Sequence, residues 1–549
     1  MATTTIRTPA ERWPELDRIP HPPRRLPVLG DVVGASLATP VQDTMRMARE
    51  LGPIFRRKIF GLEVVFVTGA ELAAEMADEK RFVKYVTNAV QSLRAVAGDG
   101  LFTAYGNEPN WQRAHDILAP AFTRESMVRY HPTMLAMAHR LMNVWDRRAE
   151  TGTPVDISGD TTKLTLETIA STGFGYDFGS FERDEPHPFV TAMVDGLSAV
   201  LRLRIATLPL LGPVLARPIR QRFLAHRDYL NATVDDVIRE RTARGATHTD
   251  DLLGLMLNTT QPGTGERLDP LNIRYQVITF LVAGHETTSG ALSFALYYLA
   301  KHPEVMARAQ EEVDRVWGPD GDPAYEQVSK LRYVRRVLDE SLRLWPTAPA
   351  FTRAARQDTV LGGRYPMRKG ASALVLVPAL HRDRSVWGDD AEEFDPDRFL
   401  PERVKARPAH VFKPFGTGER ACIGRQFALH EATLVLGLLL RRYNLHDHAD
   451  YRLKVSERLT LMPEDFTLIP SRRKPTADAD PGTPAAREGI RVKSSGISVR
   501  RLTGPARRTA PARPEHRRQP PRSCRPPPAA GPRGLSAFAH HEDAGHSPR

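Results

Sequence analysis

Residues 273–303, IRYQVITFLVAGHETTSGALSFALYYLAKHP, constrain the fold more than any other feature of the chain. As a helix the run is about 45 Å long at about 1.5 Å per residue. It is apolar nearly all round, so it has to be packed on every side. Crossing a membrane would put His285, Glu286, Thr287, Thr288 and Ser289 at the bilayer midplane, where ionisable groups are costly. The run therefore reads as an interior helix of a large helical domain, and its polar centre calls for a purpose.

The surrounding text supports a mainly α fold with small β-sheets, an α+β class. Residues 39–147 alternate amphipathic helical stretches with a strand-like pair, IFRRKIF and EVVFVTG, joined at Gly61. From 122 to 301 the 3.6-residue period dominates. Beyond it come a helix ending LDESLRLWP, strand-like TVLGG and SALVLVPA, and an irregular Pro-rich stretch at 387–418. A last helix at about 423–443 and a hairpin region at 444–470 close the folded part, with no internal repeat.

Charge and cysteine content remove whole classes of function. The net charge is +12, but residues 471–549 hold 17 Lys+Arg against 6 Asp+Glu, which leaves residues 1–470 at +1. The folded part thus gives no argument for nucleic acid or an anionic membrane as partner. The Arg/Pro-rich stretch, with 13 of the 45 prolines in 79 residues, is expected to be a disordered basic tail. Cys422 and Cys524 are the only cysteines, and the second lies in that tail. A disulfide framework and multi-cysteine metal sites are excluded, and a reducing, cytoplasmic location is expected. The N-terminal text has no apolar h-region and no membrane anchor.

The one thiol of the folded part stands in Phe415-Gly416-Thr417-Gly418-Glu419-Arg420-Ala421-Cys422-Ile423-Gly424, just before a long helix. Gly416 and Gly418 permit backbone shapes that turn amides toward the sulfur, and the helix presents its positive end there. Both effects favour thiolate over thiol. At this point the sequence resembles the cytochrome P450 haem-thiolate monooxygenases, whose fold is a triangular helical prism around a buried haem. The resemblance implies haem b (iron protoporphyrin IX) as cofactor, Cys422 as axial iron ligand and Arg420 paired with a haem propionate. It also implies Phe415 beside the sulfur, where it tunes the iron potential, and Gly416 and Gly424 as part of the cofactor loop. A thiolate ligand favours O–O cleavage.

Ala283-Gly284-His285-Glu286-Thr287-Thr288 resembles the family's oxygen-activation motif. Ala283 and Thr287 are four apart and share a face. If the Thr287 hydroxyl bonds back to the Ala283 carbonyl, Gly284 lets the helix open into a polar notch for dioxygen. Dioxygen activation consumes protons, and Thr287 fed by Glu286 and water is the expected relay. His285 reads as a residue facing another helix and has no assigned chemistry.

Further roles follow from the resemblance alone. Glu340 and Arg343, closed into a triad by Arg398, are expected to be structural, whereas an exposed Glu–Arg pair at this spacing contributes only about 0.2–0.5 kcal/mol. Trp111 and His115, four apart on a helix, are expected to meet a haem propionate, with core packing as the alternative for each. Long phrases over about residues 20–470 resemble the haem domain of the self-sufficient bacterial fatty-acid hydroxylases. In that family the haem domain is fused to a flavin reductase drawing on NADPH, and nothing after residue 470 reads as such a domain. A separate flavin (FMN/FAD) reductase, or a ferredoxin with its reductase, is expected as redox partner. The tail is read as an out-of-frame remnant of such a fusion, or else as a basic arm for an acidic partner.

By the same resemblance the substrate pocket holds Val90, Leu93, Ala97, Phe102, Ala283, Ala348, Ala350, Leu459 and Thr460, with Phe102 over the iron. The hydroxylases anchor the substrate carboxylate with Arg and Tyr at the channel mouth, where this chain has Leu62 and Phe66. Arg56, Arg57 and Lys58 are close in sequence, but strand alternation does not say which points inward. The expected activity is hydroxylation of a lipophilic small molecule by dioxygen, with medium-to-long-chain fatty acids as substrate class. A peroxide-driven hydroxylase and a non-catalytic haem sensor are the alternatives. The peroxide reading is disfavoured because peroxygenases carry Arg-Pro where this chain has Glu286-Thr287.

Overall fold

The long apolar run forms one helix, Pro270–Lys301, in a computed structural model that describes residues 12–473 apart from 28, 37, 203–211 and 246–249. The chain divides into two units, Met1–Ala479 and Asp480–Arg549. The second unit, with the expected disordered tail, lies outside the described residues. Asp269 starts the helix by accepting from the Asn272 amide at 2.9 Å, and Pro270 at the first position has no N–H to leave unpaired.

Among the helices packed against it are Asn88–Ala97, Ile157–Phe174, Arg332–Leu344 and Arg425–Arg442. Hydroxyls stitch it to Ile157–Phe174, with Thr165 donating to the His285 carbonyl at 2.9 Å and Thr161 bonded to Ser293 at 3.0 Å. His285 is buried on this side, as its position suggested. One expectation fails. Residues 283–288 stay helical, so Gly284 does not open the helix. Its role is close packing, because a Cβ there would lie 2.9 Å from Cγ1 of Ile169.

A second hydrophobic core sits on a five-stranded sheet, ordered Ile54–Ile59, Leu62–Val67, Ser372–Leu376, Ala350–Ala355, Phe82–Lys84. The first two strands form the expected hairpin in the register Phe55 to Phe66, turning at Phe60 and Gly61 with φ of 47° and 80°. Positive φ at both central residues suits a two-residue hairpin turn.

Glu340 and Arg343 tie the helical part to the Pro-rich stretch. Both are 0% exposed and joined by two bonds of 2.7 and 2.8 Å. Arg343 also donates to the carbonyls of His381, Ala391 and Glu393, and Arg398 stands 3.5 Å from Glu340. The exposed-pair alternative does not describe this geometry. The expected boundary at residue 470 falls inside a strand, Thr467–Arg472, and Arg473 pairs with Asp314 at 2.6 Å. The first arginines of the basic stretch therefore belong to the fold.

Candidate active site

The loop before helix Arg425–Arg442 is shaped by two glycines, Gly416 at φ 72° and Gly418 at φ 70°. At Gly418 a side chain is also blocked, since a Cβ would meet the Glu79 carboxylate at 1.9 Å. Glu79 accepts from the Glu419 amide at 2.9 Å, and Arg353 donates to the Thr417 carbonyl at 2.7 Å. The Cys422 amide returns to the Phe415 carbonyl at 2.9 Å, closing the loop on itself. Phe415 is partly buried against the helical core and lies under the Arg425 guanidinium, 5.8 Å from its ring centre.

Cys422 is exposed by surface area, yet burial pushes its thiol upward, ahead of the Gly424 amide and the Arg425 charge, which pull it down. The two facts agree for a sulfur that opens onto an internal hollow rather than the outer surface. The Gly424 amide favours the thiolate, as the loop text suggested, but desolvation outweighs it, so ionisation calls for a cation beside the sulfur. Gly424 has an ordinary φ of −83°, and a Cβ there would come no closer than 3.6 Å to protein, beside Phe122 and 4.0 Å from the sulfur. No protein neighbour demands this glycine. It keeps the space next to the thiol clear.

Three cations converge near the loop. Arg420 donates to the Ala104 carbonyl at 2.8 Å and lies 4.3 Å over the Trp111 ring. Trp111 in turn stacks on His115 at 5.2 Å within helix Pro109–Leu118. Burial and then the Arg353 charge push Arg420 down to about 10. Lys84, whose ammonium bonds the Phe102 carbonyl, is pushed down to about 7 by burial, then by Arg420 and Arg353. Desolvated cations that repel one another require an anion. Lys84, Arg353 and Glu79 were missed by sequence reasoning. Nothing in their local text marks them, because they reach the loop from strands and a turn far away in the chain.

On the central helix Ala283 is exposed and Thr287 partly so, in the middle of otherwise buried residues. The Thr287 hydroxyl donates to the Ala283 carbonyl at 2.8 Å. Glu286 is buried, and burial pushes its carboxyl up against the opposing pull of Arg458 and the Thr460 hydroxyl.

The pocket candidates come from four segments brought to this helix. Val90, Leu93 and Ala97 lie on helix Asn88–Ala97 and are partly buried. Phe102 is 44% exposed, and its loop is pinned by Leu101 donating to Gln276 at 3.0 Å and Asn272 donating to Asp99 at 2.8 Å. Leu461 donates to the Thr347 carbonyl at 3.0 Å, which joins the segments carrying Ala348, Ala350, Leu459 and Thr460. Both segments reach the helix at Gly290, where a Cβ would lie 2.8 Å from Thr347 and from the Leu461 carbonyl.

Register decides which of the three basic residues shares the strand face of Leu62 and Phe66. Lys58 pairs with Glu63, so it points away from the face that holds Leu62 and Phe66. Arg57 shares that face but is buried on Asp43 at 2.5 Å, and Arg56 is bound to Asp17, Glu63 and the Ile19 carbonyl. None of the three is free to hold a carboxylate there.

These features fit a haem. An enclosed thiol with clear space beside it suits a metal, the desolvated cations Arg420 and Lys84 suit propionates, and the accessible Ala283–Thr287 face suits a small ligand. Cys422 would bind the iron, and Arg420, Lys84, Trp111 and His115 would meet the propionates. Among the described residues no helix is long and apolar enough to cross a membrane.

Comparison with known proteins agrees. The chain is 49% identical over 436 residues to bifunctional cytochrome P450/NADPH–P450 reductase 2 of Bacillus subtilis, covering 79% of this chain and 41% of that protein. Identity to the bifunctional cytochrome P450/NADPH–P450 reductase of Bacillus cereus is 47% over 463 residues, 84% of this chain and 43% of the relative. A self-sufficient cytochrome P450 monooxygenase of Exserohilum turcicum is 40% identical over 463 residues, again 84% and 43%. The chain thus spans about two fifths of the length of these relatives. With the family profile matching residues 20–470, the chain belongs to the cytochrome P450 family of monooxygenases.

Proposed function

We propose that the chain inserts one atom of dioxygen into a C–H bond of a lipophilic molecule, with medium-to-long-chain fatty acids as the substrate class. Electrons come from NADPH through a flavin or ferredoxin reductase. The observation that carries this reading is the pairing of an enclosed but accessible Cys422, in the loop that leads into helix Arg425–Arg442, with an accessible Ala283–Thr287 face on the central helix against which that helix packs.

Bound haem supplies dioxygen binding and the oxidising power for hydroxylation. The chain supplies the rest. Cys422 is the electron-rich ligand, held by the Phe415 carbonyl and the Glu79–Arg353 clamp. Thr287 presents a hydroxyl at the accessible face, already oriented by Ala283, and Glu286 stands next to it in the chain with a carboxyl whose hold on its proton burial strengthens. This pair can pass protons one at a time to reacting oxygen. Phe102, at the end of a loop pinned to the central helix, limits which carbon approaches.

Substrate orientation rests on apolar contact more than on a head group, since Arg56 and Arg57 are already paired. Spin-state titrations with a fatty acid and its methyl ester test this, and a strong preference for the free acid would count against it. Product formation with NADPH and an added reductase, set against hydrogen peroxide alone and against neither, tests the activity. Turnover only with peroxide, or none under any condition, would reject the reading.

A further inference from the structure

Two buried polar atoms beside the central helix have no hydrogen-bond partner among the described residues: Oε2 of Glu286 and Oγ1 of Thr460. Their residues are 5% and 6% exposed. Leaving such groups dry costs about 1–3 kcal/mol each, and the Thr460 hydroxyl lies close enough to act on the Glu286 carboxyl, so a water that satisfies one is within reach of the other.

The turn Arg458-Leu459-Thr460, between strands Val455–Glu457 and Leu461–Pro463, governs how that water is reached. It is held at both ends. Glu457 accepts from the amides of Val41 and Gln42 at 2.5 and 2.9 Å, and Leu461 is bonded to Thr347 and wedged against Gly290. Arg458 at the tip is exposed, and its guanidinium has no hydrogen-bond or ion-pair partner among the described residues. Its charge still reaches the sealed carboxyl: burial pushes Glu286 up, and Arg458, ahead of the Thr460 hydroxyl, pulls it back. The Ser289 hydroxyl is spent on the Glu286 main-chain carbonyl at 3.1 Å. The Arg458 amide donates to the Thr460 carbonyl at 3.0 Å, so the exposed tip and the buried hydroxyl belong to one tight turn, and that turn is the short way out.

We propose that this turn is the proton entrance of the site: a hydrated opening between the Arg458 guanidinium and the Thr460 hydroxyl joins solvent to the Glu286 carboxyl. Arg458 is a positioning residue whose cation lets Glu286 release its proton and be recharged. Each proton leaves bulk water as hydronium, crosses the water at Thr460 and ends on the Glu286 carboxylate, and no electron moves. The inference rests on the Glu286–Thr287 relay proposed above.

The test uses the haem-loaded chain and its R458Q, R458K, T460V and E286Q variants. The protonated-carboxyl infrared band of Glu286, identified by its loss in E286Q, is titrated in each. In R458Q its midpoint should move up by about one pH unit, R458K should restore it, and the alkaline limb of coupled turnover should follow. T460V should enlarge the solvent deuterium effect on product formation. An unmoved band in R458Q, or an unchanged isotope effect in T460V, overturns the entrance. If E286Q couples electrons to product as well as the parent chain, the relay itself fails and the entrance with it. If E286Q uncouples while R458Q and T460V match the parent, the entrance alone is overturned.

Discussion

Glu431, on helix Arg425–Arg442, offers a sharp test of the packing. It is 1% exposed, and neither carboxylate oxygen has a partner among the described residues. Its polar neighbour is the Thr168 hydroxyl, which gives its own proton to the Leu164 carbonyl at 2.9 Å. A protonated Glu431 can donate to that oxygen, whereas an ionised one cannot. Burial pushes the carboxyl up to about 8, with Thr168 pulling weakly the other way. The folded chain therefore holds this proton after the unfolded chain has released it. Nothing is lost below the ordinary carboxyl range, and stability falls as pH rises from there to about 8. At about 1.4 kcal/mol per pH unit the full loss is about 3–5 kcal/mol. E431Q cannot charge, so its unfolding free energy should gain on the parent by that amount between about pH 5 and pH 8. The constant cost of burying the amide drops out of this slope. Urea unfolding followed by circular dichroism at several pH values measures it. Parallel curves for the two chains would refute the reasoning.

Other outcomes follow from single contacts. R343K loses the fork that grips Glu340 and three carbonyls, and should destabilise the chain by about 3–5 kcal/mol, read from denaturant midpoints. G284A drives a methyl into Ile169 and should cost about 1–3 kcal/mol. Combined with I169A, its effect should be strongly non-additive, and an additive cycle would mean that packing is not why glycine stands there. T287V should keep the haem spectrum and substrate binding but lower product per NADPH by about tenfold or more. Unchanged coupling would remove Thr287 from the relay.

The parts of this protein that local text can carry were readable in advance. The thiol loop, the Ala283–Thr287 spacing, the first hairpin and the long interior helix all follow from periodicity, spacing and resemblance over a few residues. What was hidden is convergence. Glu79 meets the cysteine loop across 340 residues and Arg353 across 64, with Lys84 arriving from the strand near Glu79, and no local pattern records that. Alternation assigned Arg56 and Arg57 to opposite faces but could not show that Glu63 and Asp43 already occupy them. Gly284 suggested an opened helix, because a glycine inside a helix has several explanations and only the position of Ile169 selects one. The end of the fold was missed because Arg472 and Arg473 look like the arginines that follow, and differ only in meeting Asp146 and Asp314.

The account turns on Cys422 as the iron ligand. The most direct measurement is the reduced carbon-monoxide difference spectrum of the haem-loaded chain beside its C422S variant, with circular dichroism to verify the fold. The parent should show the long-wavelength Soret band of a thiolate-ligated haem, and C422S should lose that band and the turnover with it. The same band in a folded C422S chain would contradict the account.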